Sequence, residues 1–228
     1  MREIDTLIIS DIHLGSPVCR SRSLLALLVH TRFRKLILNG DIFDDLDFTR
    51  LSKDDWALLA HFRELSSPGD PREVIWIAGN HDGPARTLGR LIGVPIVNEH
   101  MFRVNGKRCL AIHGHQFDRF LKKNIVISAI ASSLYLFVQR IDTKNLRVSR
   151  HIKRMSKSWL RLSEKVAQGA TWYGKFLKRA EVVFCGHTHR EMHEAVNGVD
   201  YWNSGCWTDI PSAYITITDG NIELHTTK

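Results

Sequence analysis

No apolar run in this 228-residue chain is long enough to span a membrane. The longest, Ile125–Val138, is broken by three serines and falls short of the roughly 18–20 residues a spanning helix needs. Met1-Arg-Glu-Ile-Asp lacks the apolar core of a signal sequence, so a cytoplasmic chain is expected. The four cysteines, Cys19, Cys109, Cys185 and Cys206, show no short paired spacing. That excludes a disulfide frame or zinc knuckle and reads as reduced thiols. Repeats and low-complexity tracts are missing too. With 43% hydrophobic and 25% charged residues, the chain is neither disordered nor collagen-like, and its length supports a well-buried core. One domain spanning 1–228 is expected.

Acid is scarce in one place. Residues 119–180 carry 15 Lys and Arg against only Asp142 and Glu164, a net +13 inside a chain of +8, which leaves −5 elsewhere. So basic a block points to an anionic partner: nucleic acid, a phospholipid surface or a phosphorylated ligand. A solvated helix face is the plainer alternative. Two apolar series run through the block. Ile127, Ile130, Leu134, Phe137 and Ile141 form one, and Val148, Ile152, Met155, Trp159, Leu162 and Val166 form the other. Their 3–4 spacing predicts two helices, each with one apolar stripe. Arg147, Arg150, Lys153 and Arg154 lie on the remaining faces of the second. The pair reads as a helical hairpin packed on itself or as a cap that presents both apolar and basic surface.

Outside that block, short apolar runs alternate with helical patterns. Strands are expected at Thr6–Ser10, Lys35–Leu38 and Val74–Ala78, and helices at Ser21–His30, Leu51–Leu65 and Ala85–Ile92. This alternation predicts parallel βαβ units with both sheet faces covered. Asn105-Gly106, Asn197-Gly198 and Asp219-Gly220 sit between later strand-like runs and favour hairpin turns. Antiparallel strands are therefore expected at Phe102–Val104, Arg108–Ile112, Val182–Cys185, Met192–Val196, Asp200–Asn203, Ala213–Thr218 and Ile222–Thr226. The fold class is α/β, a sandwich of two mixed sheets.

Five motifs fall where strands end: Asp11-Ile-His13, Gly40-Asp41-Ile-Phe-Asp44, Gly79-Asn80-His81-Asp82, His113-Gly114-His115 and Gly186-His187-Thr188-His189. Strand C-termini of open α/β sheets share one crevice, so these side chains can converge. Carboxylates mixed with imidazoles suit Mn, Fe or Zn. Asp11, His13, Asp41 and His189 can serve one ion; Asp41, Asn80, His113 and His187 can serve a second, with Asp41 bridging. Two such cations can clamp a phosphoryl group and acidify a shared water to the hydroxide that attacks phosphorus. Asp-x-His and His-x-His on extended chain would aim both ligands one way. Glycines before Asp41, Asn80 and His187 would permit the tight turns. For Asp44 a helix-capping role is the alternative, and Asp82 reads as a turn residue behind the ligands.

The five motifs together resemble the calcineurin-like metallophosphoesterase superfamily, over roughly 1–118 and 181–228. The resemblance implies a four-layer α/β/β/α sandwich, a dinuclear centre, and His81 contacting the phosphate and assisting the leaving oxygen, paired with Asp44. Asn80 and His115 are further candidate substrate contacts. A closer resemblance rests on His113-Gly-x-Gln-Phe-Asp118, the basic insert at 119–180, Cys185-Gly-His-Thr-His189 and Tyr201-x-Asn-Ser-Gly-x-Trp207. These look like the UDP-2,3-diacylglucosamine diphosphatase-like branch, which implies Mn dependence, release of UMP from a UDP-linked diacyl sugar in lipid A synthesis, and acyl chains held under the insert. Arg147, Arg150, Lys153 and Arg154 would then meet the pyrophosphate or an anionic membrane surface, leaving the protein peripheral on the inner face of the membrane. The chain departs from the best-known members in carrying His81 where they have Arg and His115 where they have Asp. A broader phosphodiesterase or phosphatase acting on nucleotides or nucleic acid is the second reading. A non-catalytic scaffold is the third, opposed by the filled ligand positions. Nothing in the sequence bears on oligomeric state.

Overall fold

The computed structural model describes residues 3–118 and 157–228. Two sheets face each other. The first has strand order β11-β10-β1-β2-β3-β4, with β1 Ile4–Ile9, β2 Phe33–Asn39, β3 Glu73–Ile77, β4 Ile96–Val97, β10 Ser212–Thr218 and β11 Asn221–Thr227. In it β1 to β4 run parallel, and the β10–β11 hairpin adds antiparallel to β1. The second has order β5-β6-β7-β9-β8, with β5 Glu99–Val104, β6 Lys107–Ile112, β7 Val182–Cys185, β8 Met192–Val196 and β9 Val199–Asn203.

Helices α1 Ser21–His30, α2 Lys53–Leu65 and α3 Ala85–Ile92 connect the parallel strands, and α4 Lys157–Tyr173 precedes β7. Each layer boundary is an apolar cluster. Leu24, Leu28, Leu58 and Phe62 of α1 and α2 pack on Leu7, Leu36 and Trp76. Ile8, Ile37, Ile77, Ile215, Phe184 and Trp202 fill the space between the sheets. Ala167 and Ala170 of α4 pack on Leu110, Val183 and Tyr201 across the second sheet. The α/β/β/α sandwich expected from the resemblance is the observed architecture.

The described end of the 119–180 segment thus forms an outer layer of the sandwich. Trp159, Leu162 and Val166 stand on α4; the rest of the two predicted apolar series lies outside the described residues.

One expectation is corrected. The strands Val182–Cys185 and Asp200–Asn203 are not antiparallel to all their neighbours: β6, β7 and β9 run parallel, while β5 and β8 flank them antiparallel. The dipeptide turns did form hairpins, with φ of 47° and 81° at Asn105-Gly106, 55° and 72° at Asn197-Gly198, and 51° and 78° at Asp219-Gly220. A hairpin turn sets only the pair it joins. The β6–β7 pair is joined through α4, and a connection carrying a helix returns the chain parallel. As a result the C-terminal ends of β1, β2, β3, β6 and β7 all open onto one edge of the sandwich.

Candidate metal centre

All five motifs meet at that edge. Asp11, His13 and His189 bring ligand atoms within 4.8 Å of one another, and so do Asp41, His113 and His187. Asn80 is exposed on the turn after β3, and the amide of the next residue, His81, donates to Asp41 Oδ1 at 2.8 Å. The loops after β1 and β2 hold each other by a backbone ladder. The Asp11 amide donates to the Gly40 carbonyl at 3.0 Å, the Ile12 amide to the Asp41 carbonyl at 2.9 Å and the Leu14 amide to the Ile42 carbonyl at 2.8 Å. Asp82 braces the second loop from behind. It is fully buried and accepts from the amides of Asp41, Ile42, Phe43 and Gly79 at 2.8–3.1 Å. Burial, then the nearby Asp41 charge, push its pKa up.

The backbone that aims the ligands is not extended, contrary to the geometry expected for Asp-x-His and His-x-His. Asp11, His13, Asp41, His187 and His189 all adopt left-handed conformations, with φ of 51°, 53°, 53°, 67° and 53°. Such conformations cost about 1–3 kcal/mol each in a non-glycine residue and persist where the surroundings enforce them. Left-handed residues at both ends of each triplet turn the chain sharply, so Asp11 and His13 converge by curvature instead of by alternation. The glycines at Gly79 and Gly186 supply clearance. A Cβ at Gly186 would collide with the Asp11 carboxylate, and one at Gly79 with the Asp41 carboxylate and amide.

The donor set fits two cations. His113 Nε2 is buried and makes no hydrogen bond, yet lies 3.1 Å from Asp41 Oδ2. Two coordinating atoms side by side, without donor geometry, are what ligands of one ion look like. His13 Nε2 and His189 Nε2 face each other at 3.2 Å, and His189 Nε2 is 3.2 Å from Asp11 Oδ1. Each imidazole is held at its other nitrogen, as ligating histidines are. His113 Nδ1 lies 2.9 Å from the Asn39 carbonyl, which only accepts, so Nδ1 carries the proton and Nε2 is free to ligate. His13 Nδ1 is 3.3 Å from Asp44 Oδ1, His189 Nδ1 is 3.4 Å from Thr208 Oγ1, and His187 Nε2 is 3.1 Å from Asp118 Oδ2.

Electrostatics in the metal-free cluster follow from burial opposed by pairing. Burial disfavours the Asp11 carboxylate, but His189 and then His113 outweigh it and hold its pKa at about 2. Burial likewise opposes Asp41, and His113, His13 and His81 keep it well below the carboxylate range. Burial opposes the charged form of His113, yet Asp41 and Asp11 raise it to about 10. For His187 burial prevails over Asp118 and lowers its pKa.

The calcineurin-like phosphoesterase family model matches residues 4–191. The chain belongs to the calcineurin-like phosphoesterase family. Among solved structures, this phosphoesterase is similar to an archaeal phosphodiesterase (14% identity over 97% of this chain and 99% of that one, TM-score 0.55). It is also similar to Yfce, a phosphoesterase from E. coli (16% identity over 98% and 99%, TM-score 0.52). At these identities both show the fold. No curated protein matches. Membership agrees with the geometry: this is a metal-dependent phosphoesterase, and the groups Asp11, His13, His189 and Asp41, His113, His187 could each hold a metal ion.

The substrate-side residues divide. His81 Nδ1 lies 2.7 Å from the Asp44 backbone carbonyl, and a ring nitrogen of His81, the Asp44 carboxylate and His13 bring ligand atoms within 4.8 Å of one another. The carboxylate also meets His13 and the Arg50 guanidinium, the latter at 2.7 Å, which together overcome burial and lower its pKa. His115 packs beside His113 and His187, with ring centroids 5.4 and 6.4 Å away. It lines a cleft of about 490 Å³ with Gln116, Phe117 and Tyr173. Arg147, Arg150, Lys153 and Arg154 lie outside the described residues. Sequence reasoning passed over Arg50 and Thr208 and used Asp118 only as part of a motif. Asp118 had a signal: it closes a motif that begins with a ligand.

Proposed function

We propose that this phosphoesterase cleaves the diphosphate of a UDP-linked diacyl sugar of the UDP-2,3-diacylglucosamine type, releasing UMP, as a step of lipid A synthesis. One observation supports the reading: residues on either side of the stretch 119–158 contact the loops of the metal centre. Asp118, the last residue before it, bonds to His187, and Trp159 on α4 donates from Nε1 to the Thr188 carbonyl, between the two ligand histidines, at 2.8 Å. The residues between these two contacts, 119–158, carry ten Lys and Arg against Asp142 alone, a net +9. Acyl chains buried on the apolar stripes expected there would contribute about 0.8 kcal/mol per CH₂. Arg147, Arg150, Lys153 and Arg154 would face the pyrophosphate or an anionic membrane surface, where each basic residue adds about 1 kcal/mol.

The chain's own residues have distinct tasks. Asp11, His13, Asp41 and His189 would hold one ion, and Asp41, Asn80, His113 and His187 the other, Mn being the best match. When bound, the ions neutralise phosphoryl oxygens and acidify water. Asp44 orients His13 through Nδ1. The Asp44 carbonyl can only accept, so His81 Nδ1 donates to it, and only the doubly protonated ring, with a second proton on Nε2, would donate to a phosphoryl oxygen or pass that proton to the leaving oxygen.

His81, present where the best-known members of that branch have Arg, favours a second reading, a phosphodiesterase acting on nucleotides or nucleic acid. The deciding experiment incubates the Mn-loaded protein with UDP-2,3-diacylglucosamine beside a phosphodiester panel and follows products by phosphorus NMR. The first reading expects UMP and the sugar 1-phosphate, lost with chelator and restored by Mn. An intact UDP-sugar beside cleaved phosphodiesters would establish the second.

A further inference from the structure

The loop that carries His187 and His189 is held from two sides. On the side of the sheets, the Gly186 amide donates to the His113 carbonyl at 3.0 Å, and the His187 amide donates to Asp11 Oδ2 at 2.9 Å. Asn203, at the end of β9, donates from Nδ2 to the Gly186 carbonyl at 2.7 Å and to Thr188 Oγ1 at 3.2 Å. On the other side stands α4. Trp159, in its first turn, donates from Nε1 to the Thr188 carbonyl at 2.8 Å.

That carbonyl is placed where its direction matters. It lies between two residues in left-handed conformations, His187 at φ 67° and His189 at φ 53°. It belongs to the planar peptide that leads into His189, so fixing the oxygen fixes the plane from which the His189 side chain departs. The residue that carries it follows His187 directly. His187 groups with Asp41 and His113, and His189 groups with Asp11 and His13. One hydrogen bond from α4 therefore bears on one ligand of each ion.

The bond has a firm support and a single direction. Ala167 and Ala170 of α4 are buried against Leu110 and Val183 of the second sheet, and Ser163 Oγ donates back to the Trp159 carbonyl at 3.1 Å. Thr188 is 4% exposed, and a carbonyl in such a place needs a partner. Indole offers one N–H and no acceptor, so phenylalanine removes the bond and keeps an aromatic ring.

We propose that Trp159 is a positioning residue of the metal centre: through the Thr188 carbonyl it holds the peptide between His187 and His189, and so couples α4 to both ions. The proposal goes beyond the substrate reading and rests on the metal centre alone. Such coupling is reciprocal: if Trp159 steadies the ligands of the ions, the ions steady the first turns of α4.

Mn titration of the chelated protein by calorimetry tests one direction, and amide hydrogen exchange tests the other. Trp159→Phe should weaken both Mn-binding steps about tenfold, the lower end of what groups supporting a metal ligand contribute. Trp172→Phe, at an exposed position of the same helix, should weaken neither. In the native chain Mn should slow exchange over residues 160–166 about tenfold while leaving the edge strand β11 unchanged, and Trp159→Phe should abolish that difference. The native exchange comparison needs no variant, so it decides the matter even if Trp159→Phe fails to fold. Unchanged Mn affinities in Trp159→Phe, a loss confined to one step, an equal loss in Trp172→Phe, or exchange over 160–166 that ignores Mn would each overturn the proposal. A native chain that takes up no Mn would overturn it together with the metal centre, whereas two ions bound equally well by native and variant chains would overturn the role of Trp159 alone.

Discussion

The hairpin ends and the ligand loops solve the same backbone problem with different residues. At Asn105, Asn197 and Asp219 the left-handed conformation is taken by residues that tolerate it, each followed by glycine. At Asp11, His13, Asp41, His187 and His189 it is taken by the side chains that would bind ions, and none of these is followed by glycine. The hairpins adopt it for connectivity, and the ligand loops adopt it to aim donors. Strain is therefore concentrated where the chemistry is, and the elements around it, the Asp82 brace and the ladder between the loops, hold it in place.

Breaking the ligand loops should have the largest effect. Gly186→Ala drives a methyl group into the Asp11 carboxylate. It is expected to weaken binding of the ion at Asp11, His13 and His189 by at least a hundredfold and to lower turnover of an aryl phosphoester in proportion. Metal titration with the folded variant checks this; unchanged stoichiometry and affinity would mean that the clearance is irrelevant.

His81→Ala acts on chemistry alone. Both ions should remain bound while turnover falls roughly 10²–10⁴-fold, the usual worth of one general acid. A rate equal to the native one would remove His81 from the reaction. Asp44→Asn separates two roles further: because the Asp44 carbonyl serves His81 and the carboxylate serves His13, the substitution should show in metal affinity before it shows in the kcat of the fully loaded enzyme.

At the hairpins the effect should be small. Asn105→Ala keeps the turn but forces alanine into a left-handed conformation, at a cost of about 1–2 kcal/mol. A lowered Tm with native metal stoichiometry is the expected result, and loss of metal would mean the two regions are not independent.

The metal-free protein should also reveal its paired charges. His113 sits at about 10, above its ordinary 6.5, so the folded state holds this proton more tightly than the unfolded chain. That stability is fully present below pH 6.5 and is lost as pH rises toward 10. Asp11 sits at about 2, below its ordinary 3.8, so its contribution is present above pH 3.8 and is lost as pH falls toward 2. The Tm of the chelated protein should be highest between these limits, and Mn should flatten the alkaline fall because a ligating imidazole is neutral. A Tm that climbs from pH 6.5 to 9 in chelator would contradict the assignment.

Much of the molecule was legible from the residues, for physical reasons. Apolar runs ending in Asp, Asn or His marked strand ends, and a shared edge for parallel strand ends brought the motifs together. Three dipeptides with a left-handed preference placed three hairpins. What stayed hidden needed tertiary information. The parallel setting of β6, β7 and β9 depends on how α4 crosses the sheet, and β4, only two residues long, carries no periodicity. The left-handed backbone at Asp11 and His189 is set by the loops packed against them, and no following glycine marks it in the sequence. The groups that hold the outer nitrogens include the Asn39 carbonyl, and a backbone atom leaves no trace in side-chain patterns. Asp44 illustrates the limit best: the residue was identified, but which of its oxygens faces His81 was decided by folding.

The central claim is that two triplets of side chains, one around Asp11 and one around Asp41, each hold an ion. Anomalous diffraction at the manganese edge from crystals grown with Mn tests it most directly. The expected map has two peaks, one among Asp11, His13 and His189 and one among Asp41, His113 and His187, with Asp41 touching both. A map with no peak at this edge of the sandwich, or with manganese bound only elsewhere, would contradict it.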